Sequence, residues 1–227
     1  MRKLFVLAAS LLVAACTTTN VKLATAVEKP RADAQVMVLQ PDVQLGVLTM
    51  SGLTEPRADW SASGRDNIAA EVKKALDVKG LKYTQVDPAA AMSGHTGQLL
   101  RLNAAVGQSI LLFNYGAINL PTHKGSFEWT LGEGAHDLGG AYNSEYALFI
   151  NARGSYSSDA RKLAWLGAAA FGVALPTGGQ YLSASLVELK TGRIIWFNQA
   201  VAGPDADIRN PEGAHNLVAE MLKTAPF

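Results

Sequence analysis

The side chains that could carry out catalysis are few and scattered along the sequence. Residues 158–161 (SDAR) resemble the SxxK motif of penicillin-binding enzymes, but arginine stays protonated and cannot act as the base that lysine provides. The four histidines show no metal-binding spacing and no HExxH motif: His95, His123, His136 and His215. Neither the SDAR segment nor the four histidines therefore predict a metal site or a catalytic site.

A glycine-rich stretch, residues 132–137 (GEGAHD), begins like a dinucleotide-binding loop. Asp137 stands where the third glycine is required, and no predicted strand precedes the stretch. The sequence has no phosphate-binding Walker loop and no GxSxG nucleophile elbow. We therefore expect no cofactor and no enzymatic activity.

Cys16 is the only cysteine, and the residues around it predict how it is modified. Arg2 and Lys3 precede an apolar stretch of about ten residues, which is typical of a signal peptide and too short to span a bilayer. The stretch ends in VAAC, which resembles the bacterial lipobox, so we predict a signal peptide over residues 1–15 and a lipid such as palmitate on Cys16. Thr17 rather than aspartate follows, which by analogy with the enterobacterial sorting rule favours the outer membrane, with the protein on its periplasmic face.

Cysteine content and charge exclude several classes of protein. With Cys16 lipidated, no thiol remains for a disulfide, a cysteine-ligated zinc ion or a nucleophile. Two of the 20 basic residues lie in the predicted signal peptide, which leaves the mature chain close to neutral against 19 acidic residues. This balance indicates no nucleic-acid partner.

The elements that would position any site are predicted to form one α/β domain over residues 35–227. Residues 16–34 are polar and contain Pro30, so we interpret them as a flexible tether. Predicted strands and helices then alternate, and the chain closes with a β-hairpin turning at 190–192 and a C-terminal helix. We expect a mixed sheet of about five strands, interrupted early by Pro41, with helices packed on it.

Two segments are candidate interaction sites. Arg153, Ser155 and Tyr156 belong to a predicted loop, 153–158, between an apolar strand and a helix; we favour a turn with a helix cap, and an anion-binding site is the alternative. Residues 163–175, which include Trp165 and Phe171, are almost entirely apolar. We expect this segment to be buried core, with a surface for partner subunits or lipid as the alternative.

Several segments together resemble a family of proteobacterial envelope lipoproteins of unassigned biochemical role. They are LQPDVQLGVLT, LTEPRADW, YALFINARGSYSS, GAAAFGVALPTGGQ, ASLVELKTGRIIWFNQ and DIRNPEGAHNLVAEML. More distantly, the layout resembles the periplasmic α/β module of curli-secretion channel subunits, of lipoprotein activators of penicillin-binding proteins and of the amino-terminal domain of the Tol translocation protein. That module binds and assembles, so the resemblance implies no catalytic residues. It implies a lipid-anchored binding lipoprotein with a protein partner in the envelope; the alternatives are an oligomeric secretion or channel component and a cell-wall enzyme.

Overall fold

The computed structural model describes residues 17–25, 29–31, 33–87, 89, 94–118, 120 and 126–227. The predicted signal peptide, the lipidation site Cys16 and His123 lie outside these residues. Within them, the chain forms a mixed sheet with helices on both faces, so the predicted α/β class is confirmed.

Over the described residues the sheet has eight strands rather than about five. Their spatial order is β1-β8-β7-β6-β2-β5, while β3 pairs with β6 and β4 with β3. In chain order the strands are β1 (Thr18–Leu23), β2 (Gln35–Leu39), β3 (Asp42–Leu48), β4 (Thr54–Pro56), β5 (Lys82–Val86), β6 (Tyr146–Ser157), β7 (Gly178–Glu188) and β8 (Ile194–Val201).

Strands β2 and β3 lie end to end along β6, and Pro41 separates them. β2 pairs with the beginning of β6 and β3 with its second half, both in parallel. Proline has no N–H to donate to a ladder, so the pairing breaks at this point and resumes after it. The interruption predicted from the sequence therefore produces two strands.

The part of the chain that the structure describes contains five helices, four of which cover the two faces of the sheet. They are α1 (Ala58–Val78), α2 (Gly94–Ile110), α3 (Ala135–Tyr142), α4 (Asp159–Ala170) and α5 (Pro211–Leu222), with a π-helical turn over Leu111–Tyr115 after α2. Helices α1 and α5 pack on one face of the sheet, and α2 and α3 on the other. The buried side chains of both faces are mainly aliphatic, and Trp196 at the centre is fully buried.

The prediction of a flexible tether over residues 16–34 is wrong for its first part. Thr18–Leu23 form β1, which pairs antiparallel with β8 along its whole length, from Thr18 opposite Val201 to Leu23 opposite Trp196. The strand is polar and largely exposed because it lies at the edge of the sheet, so it lacks the apolar pattern of a buried strand. A strand of this kind resembles a linker in sequence.

The C-terminal hairpin and helix are confirmed, with one change of face in β8. Alternation predicts that Ile194 and Trp196 share a face, but Leu186 pairs with Trp196 and Val187 with Ile194, which leaves Ile195 as the extra residue of a β-bulge. Ile195 and Trp196 consequently pack under α1 and α5, while Ile194 and Phe197 pack under α2 and α3.

Candidate functional site

Five strand ends meet at one end of the sheet, from which α4 leaves. β6 and β3 finish there side by side, since Leu48 pairs with Ser157. β7 begins there, with Gly178 opposite Tyr156, and β8 ends there with β1 beginning beside it, since Thr18 pairs with Val201. We name this region, bounded by Leu48, Ser157, Gly178 and Val201, the α4 end of the sheet.

A cleft opens at the α4 end, between the start of α1, helix α4 and the loop that follows β8. Its volume is about 1040 Å³. Three aromatic side chains line it, namely Trp60 from α1, Tyr156 from β6 and Trp165 from α4. Each comes from a different element, so the cleft depends on the tertiary fold.

Arginine side chains stack on the aromatic rings of the cleft. Trp60 and Tyr156 meet edge to face, with their ring centroids 5.6 Å apart. The guanidinium of Arg209 lies 3.6 Å from the Tyr156 centroid and 4.6 Å from that of Trp60, and the guanidinium of Arg57 lies 4.4 Å from the Trp60 centroid. Such cation–π contacts fix the rings and leave a wall that is apolar with a cationic rim.

Asp207 connects this cluster through hydrogen bonds. Arg209 donates to both carboxylate oxygens of Asp207, with Nη2 2.7 Å from Oδ2. The Tyr156 hydroxyl lies 2.7 Å from Asp207 Oδ1 and 2.5 Å from Gln180 Oε1, so it can donate its proton to either. Gln180 in turn donates to the Ala206 carbonyl oxygen, which ties the loop after β8 to β7.

These contacts keep both titratable groups in one state near neutral pH. Burial, together with the neighbouring Asp207 carboxylate, raises the pKa of Tyr156, so its hydroxyl stays protonated. Burial acts to raise the pKa of Asp207, but hydrogen bonds from Arg209 and Tyr156 outweigh it and hold that pKa below its ordinary value. A protonated phenol and an ionised, fully bonded carboxylate hold the shape of the cleft and are poorly suited to transferring protons.

The predicted loop 153–158 is instead mostly strand, since Arg153 to Ser157 continue β6. Both β3 and β7 pair with this stretch, so its backbone N–H and C=O groups are engaged in the sheet. Ser158 caps α4, with its Oγ accepting from the Arg161 N–H at 3.2 Å, as the favoured interpretation of a helix cap predicts. The alternative of an anion site therefore concerns the start of α4 and not a loop.

The five candidate interaction residues fall in three places. Ser155, Tyr156 and Trp165 line the cleft. Arg153 lies outside it, where its guanidinium donates to the carboxylate and the carbonyl oxygen of Asp42. Phe171 follows the last residue of α4 and is 87% exposed.

The expectation that residues 163–175 are buried core is wrong. Arg161 is the only buried residue of α4, and Leu163 is 69% exposed. The Arg161 guanidinium donates to the carbonyl oxygens of Pro176, Thr49 and Met50, which fixes α4 to the segment after it and to the turn between β3 and β4. The helix is therefore held by a polar anchor and presents its apolar side chains outward.

Sequence inspection missed three residues that line the cleft, Arg57, Trp60 and Arg209, and Asp207, which binds Tyr156 and Arg209 beside it. Arg57 and Trp60 belong to the segment LTEPRADW, whose turn-like composition suggests no binding role. The one available signal is the arginine three residues before a tryptophan, a spacing that on a helix allows contact. Nothing in the sequence places Asp207 and Arg209 beside them.

Two of the three histidines that the structure describes pair with carboxylates. His215 Nδ1 lies 2.8 Å from Glu71 Oε2, and His95 Nε2 lies 3.2 Å from Asp137 Oδ2. Over the described ranges, no group of three or more His, Cys, Asp and Glu side chains could hold a metal ion. In the same ranges, no helix has both the length and the hydrophobicity needed to cross a bilayer.

Comparison with known proteins yields distant structural similarities. The chain is similar to the PelC dodecamer from Paraburkholderia phytofirmans, with 10% identity, a TM-score of 0.39 and coverage of 92% of this chain and 96% of that one. It is also similar to a DUF4136 family protein from Bacteroides thetaiotaomicron, with 9% identity, a TM-score of 0.40 and the same coverage. No protein-family model and no curated protein matches the sequence. We therefore base the function on the cleft and on the surface of α4.

Proposed function

We propose that this chain is a lipid-anchored envelope lipoprotein that binds a protein partner in the cleft at the α4 end, without enzymatic activity. The observation that carries the proposal is the cleft itself, with Trp60, Tyr156 and Trp165 on its walls and Arg57 and Arg209 stacked on the rings. Tryptophan, tyrosine and arginine are the residues that contribute most to protein–protein binding energy.

The charges around the cleft indicate the chemistry of the partner segment. Arg57 pairs with Asp59, Lys162 with Asp159 and Arg209 with Asp207, so the cationic groups are already matched by acids. A strongly acidic partner would have to displace these carboxylates. The cleft thus favours a segment that presents apolar or aromatic side chains to the rings and few charges.

The anchor and the location rest on the sequence. The VAAC motif supports lipidation of Cys16, and Thr17 supports a location at the outer membrane. The resemblance to envelope lipoproteins and binding modules supports a binding role in the envelope. The pKa directions of Tyr156 and Asp207 support a binding role, because neither group is poised to exchange a proton near neutral pH.

Photo-crosslinking in intact cells tests the proposal. A photoreactive amino acid at Lys162, which lines the cleft, should capture a distinct partner, and Trp60→Ala in the same chain should abolish that product. The matched control is the same amino acid at Val78, which is 89% exposed at the other end of α1. Equal capture at both positions would refute binding in the cleft, and capture only of a second copy would support the oligomeric alternative instead.

A further inference from the structure

We infer that the α4 end of the sheet lies against the bilayer and that exposed apolar side chains of α4, of the segment that follows it and of the β3–β4 turn insert among the lipids. The inference rests on the lipid anchor of the proposed function and adds a second, non-covalent membrane contact. Its occupant is a phospholipid surface, and the contact determines how the domain and its cleft are oriented.

The first step is the position of the anchor. The β1 strand begins at Thr18, opposite Val201, and the Thr17 side chain accepts a hydrogen bond from the Gly203 N–H at 3.4 Å. Cys16 immediately precedes Thr17 in the chain, and consecutive Cα atoms are only about 3.8 Å apart. A lipid on Cys16 is thus attached directly to the α4 end, with no linker that would let this end stand away from the membrane.

The second step is an apolar surface at the same end of the sheet as the anchor. Arg161 holds α4 against the β3–β4 turn through the Thr49 and Met50 carbonyl oxygens, so apolar side chains of both segments lie at the α4 end. Six apolar residues in the β3–β4 turn, in α4 and just after α4 have more than half of their surface exposed: Met50, Leu53, Leu163, Leu166, Phe171 and Val173. Clusters of this kind mark interaction sites in soluble proteins.

The third step is the choice of lipid over protein as the occupant. The anchor and the apolar cluster share one end of the sheet, so acylation brings the cluster to the bilayer whatever other partner the protein has. Helix α4 has 12 residues, too few to span a membrane but enough to lie at its surface. Trp165 lines the cleft next to Leu166 of the apolar cluster, and tryptophan favours the boundary between lipid and water.

Site-directed spin labelling of the acylated protein tests this orientation. Cys16 is the only cysteine and its thiol is blocked by the lipid, so Phe171→Cys provides one labelling site and Val78→Cys the matched control at the opposite end. In vesicles of phosphatidylethanolamine and phosphatidylglycerol, the label at 171 should be accessible to oxygen and shielded from a water-soluble nickel complex, with the reverse at 78. Nickel access at 171 equal to that at 78 would overturn the inference.

The same samples distinguish lipid from a second copy of the chain. Spin–spin broadening at position 171 in fully labelled protein, removed by dilution with unlabelled protein, would show that the cluster is a subunit interface and would overturn the inference. Monomeric protein without broadening, combined with shielding at 171, supports it.

A partition measurement separates this inference from the anchor. The mature chain with Cys16→Ser lacks the lipid, and it should still bind the same vesicles weakly. Phe171→Ser should lower that binding by about tenfold, since a large apolar side chain no longer leaves water, whereas Val78→Ser should not. Binding should persist in about 1 M salt, where the Debye length is only about 3 Å. Absence of palmitate from the wild-type protein would refute the anchor alone; absence of any Phe171 effect would refute the insertion alone.

Discussion

Helices α4 and α5 are both 12 residues long and rich in apolar residues, yet one is exposed and the other buried. In α5, Ala214, Leu217, Val218 and Met221 recur at the spacing of one helix face and pack on the sheet. In α4, leucine and tryptophan point to several sides among small residues, and only Arg161 is buried. The spacing of apolar residues therefore predicts burial better than their number does.

The largest effect is expected beneath α5. Trp196→Ala should reduce the free energy of unfolding by about 3–5 kcal/mol, because Trp196 is fully buried under α1 and α5 and its removal leaves a cavity. Chemical denaturation of the two proteins measures the change. A loss below ~1 kcal/mol would mean that α5 does not cover the sheet there.

The direct comparison of the two helices is Leu217→Ala in α5 against Phe171→Ser at the end of α4. Leu217 is fully buried, so its truncation should cost about 2–5 kcal/mol. Phe171 is 87% exposed, so the serine variant should stay within about 0.5 kcal/mol of wild type. Thermal and denaturant melts of both variants check this, and a destabilised Phe171→Ser would restore the core interpretation of 163–175.

Removing the cap of α5 should lower the global stability, whereas removing the cap of α4 should destabilise that helix only locally. Asn210 Oδ1 accepts from the Gly213 N–H at 3.0 Å, and Asn210→Ala should cost about 1 kcal/mol of global stability because α5 is part of the core. Ser158→Ala removes the corresponding cap of α4. Since α4 adds little to the core, its amides should exchange faster while the global melt barely changes. Hydrogen exchange beside denaturation separates the two outcomes.

The smallest effect on stability is expected at the cleft of the α4 end, and it depends on pH. Because the pKa of folded Asp207 is lowered, its stabilising contribution is present above the unfolded value of about 3.9 and is lost as pH falls through the folded value. Asp207→Asn should therefore be less stable than wild type at pH 7, and the difference should narrow at pH 3. Asp159→Asn, which is highly exposed beside Lys162, is the control and should change stability little at either pH. A difference independent of pH would show that the Asp207 charge is not what stabilises the cleft.

Local patterns predicted the elements that pack regularly. Asn210-Pro211, a cap residue followed by proline, and the apolar stripe after it are local signals that predict α5. The Lys190-Thr191-Gly192 turn predicts the hairpin, where Gly192 has φ of 73°. The edge strand β1 was missed because an exposed edge needs no apolar alternation. The Ile195 bulge was missed because it arises from the register between two strands, which neither strand shows alone.

The sequence by itself determined the α/β class, the interruption at Pro41, the C-terminal helix and the predicted lipidation motif, because each depends on residues close together in the chain. Only the tertiary structure decided that Trp60 meets Tyr156 and Arg209, residues about a hundred positions or more away from it. It also decided that α4 is exposed. A single buried arginine bonded to the Thr49, Met50 and Pro176 carbonyl oxygens fixes that helix at the sheet end, and whether an apolar helix is covered depends on what lies opposite it in space.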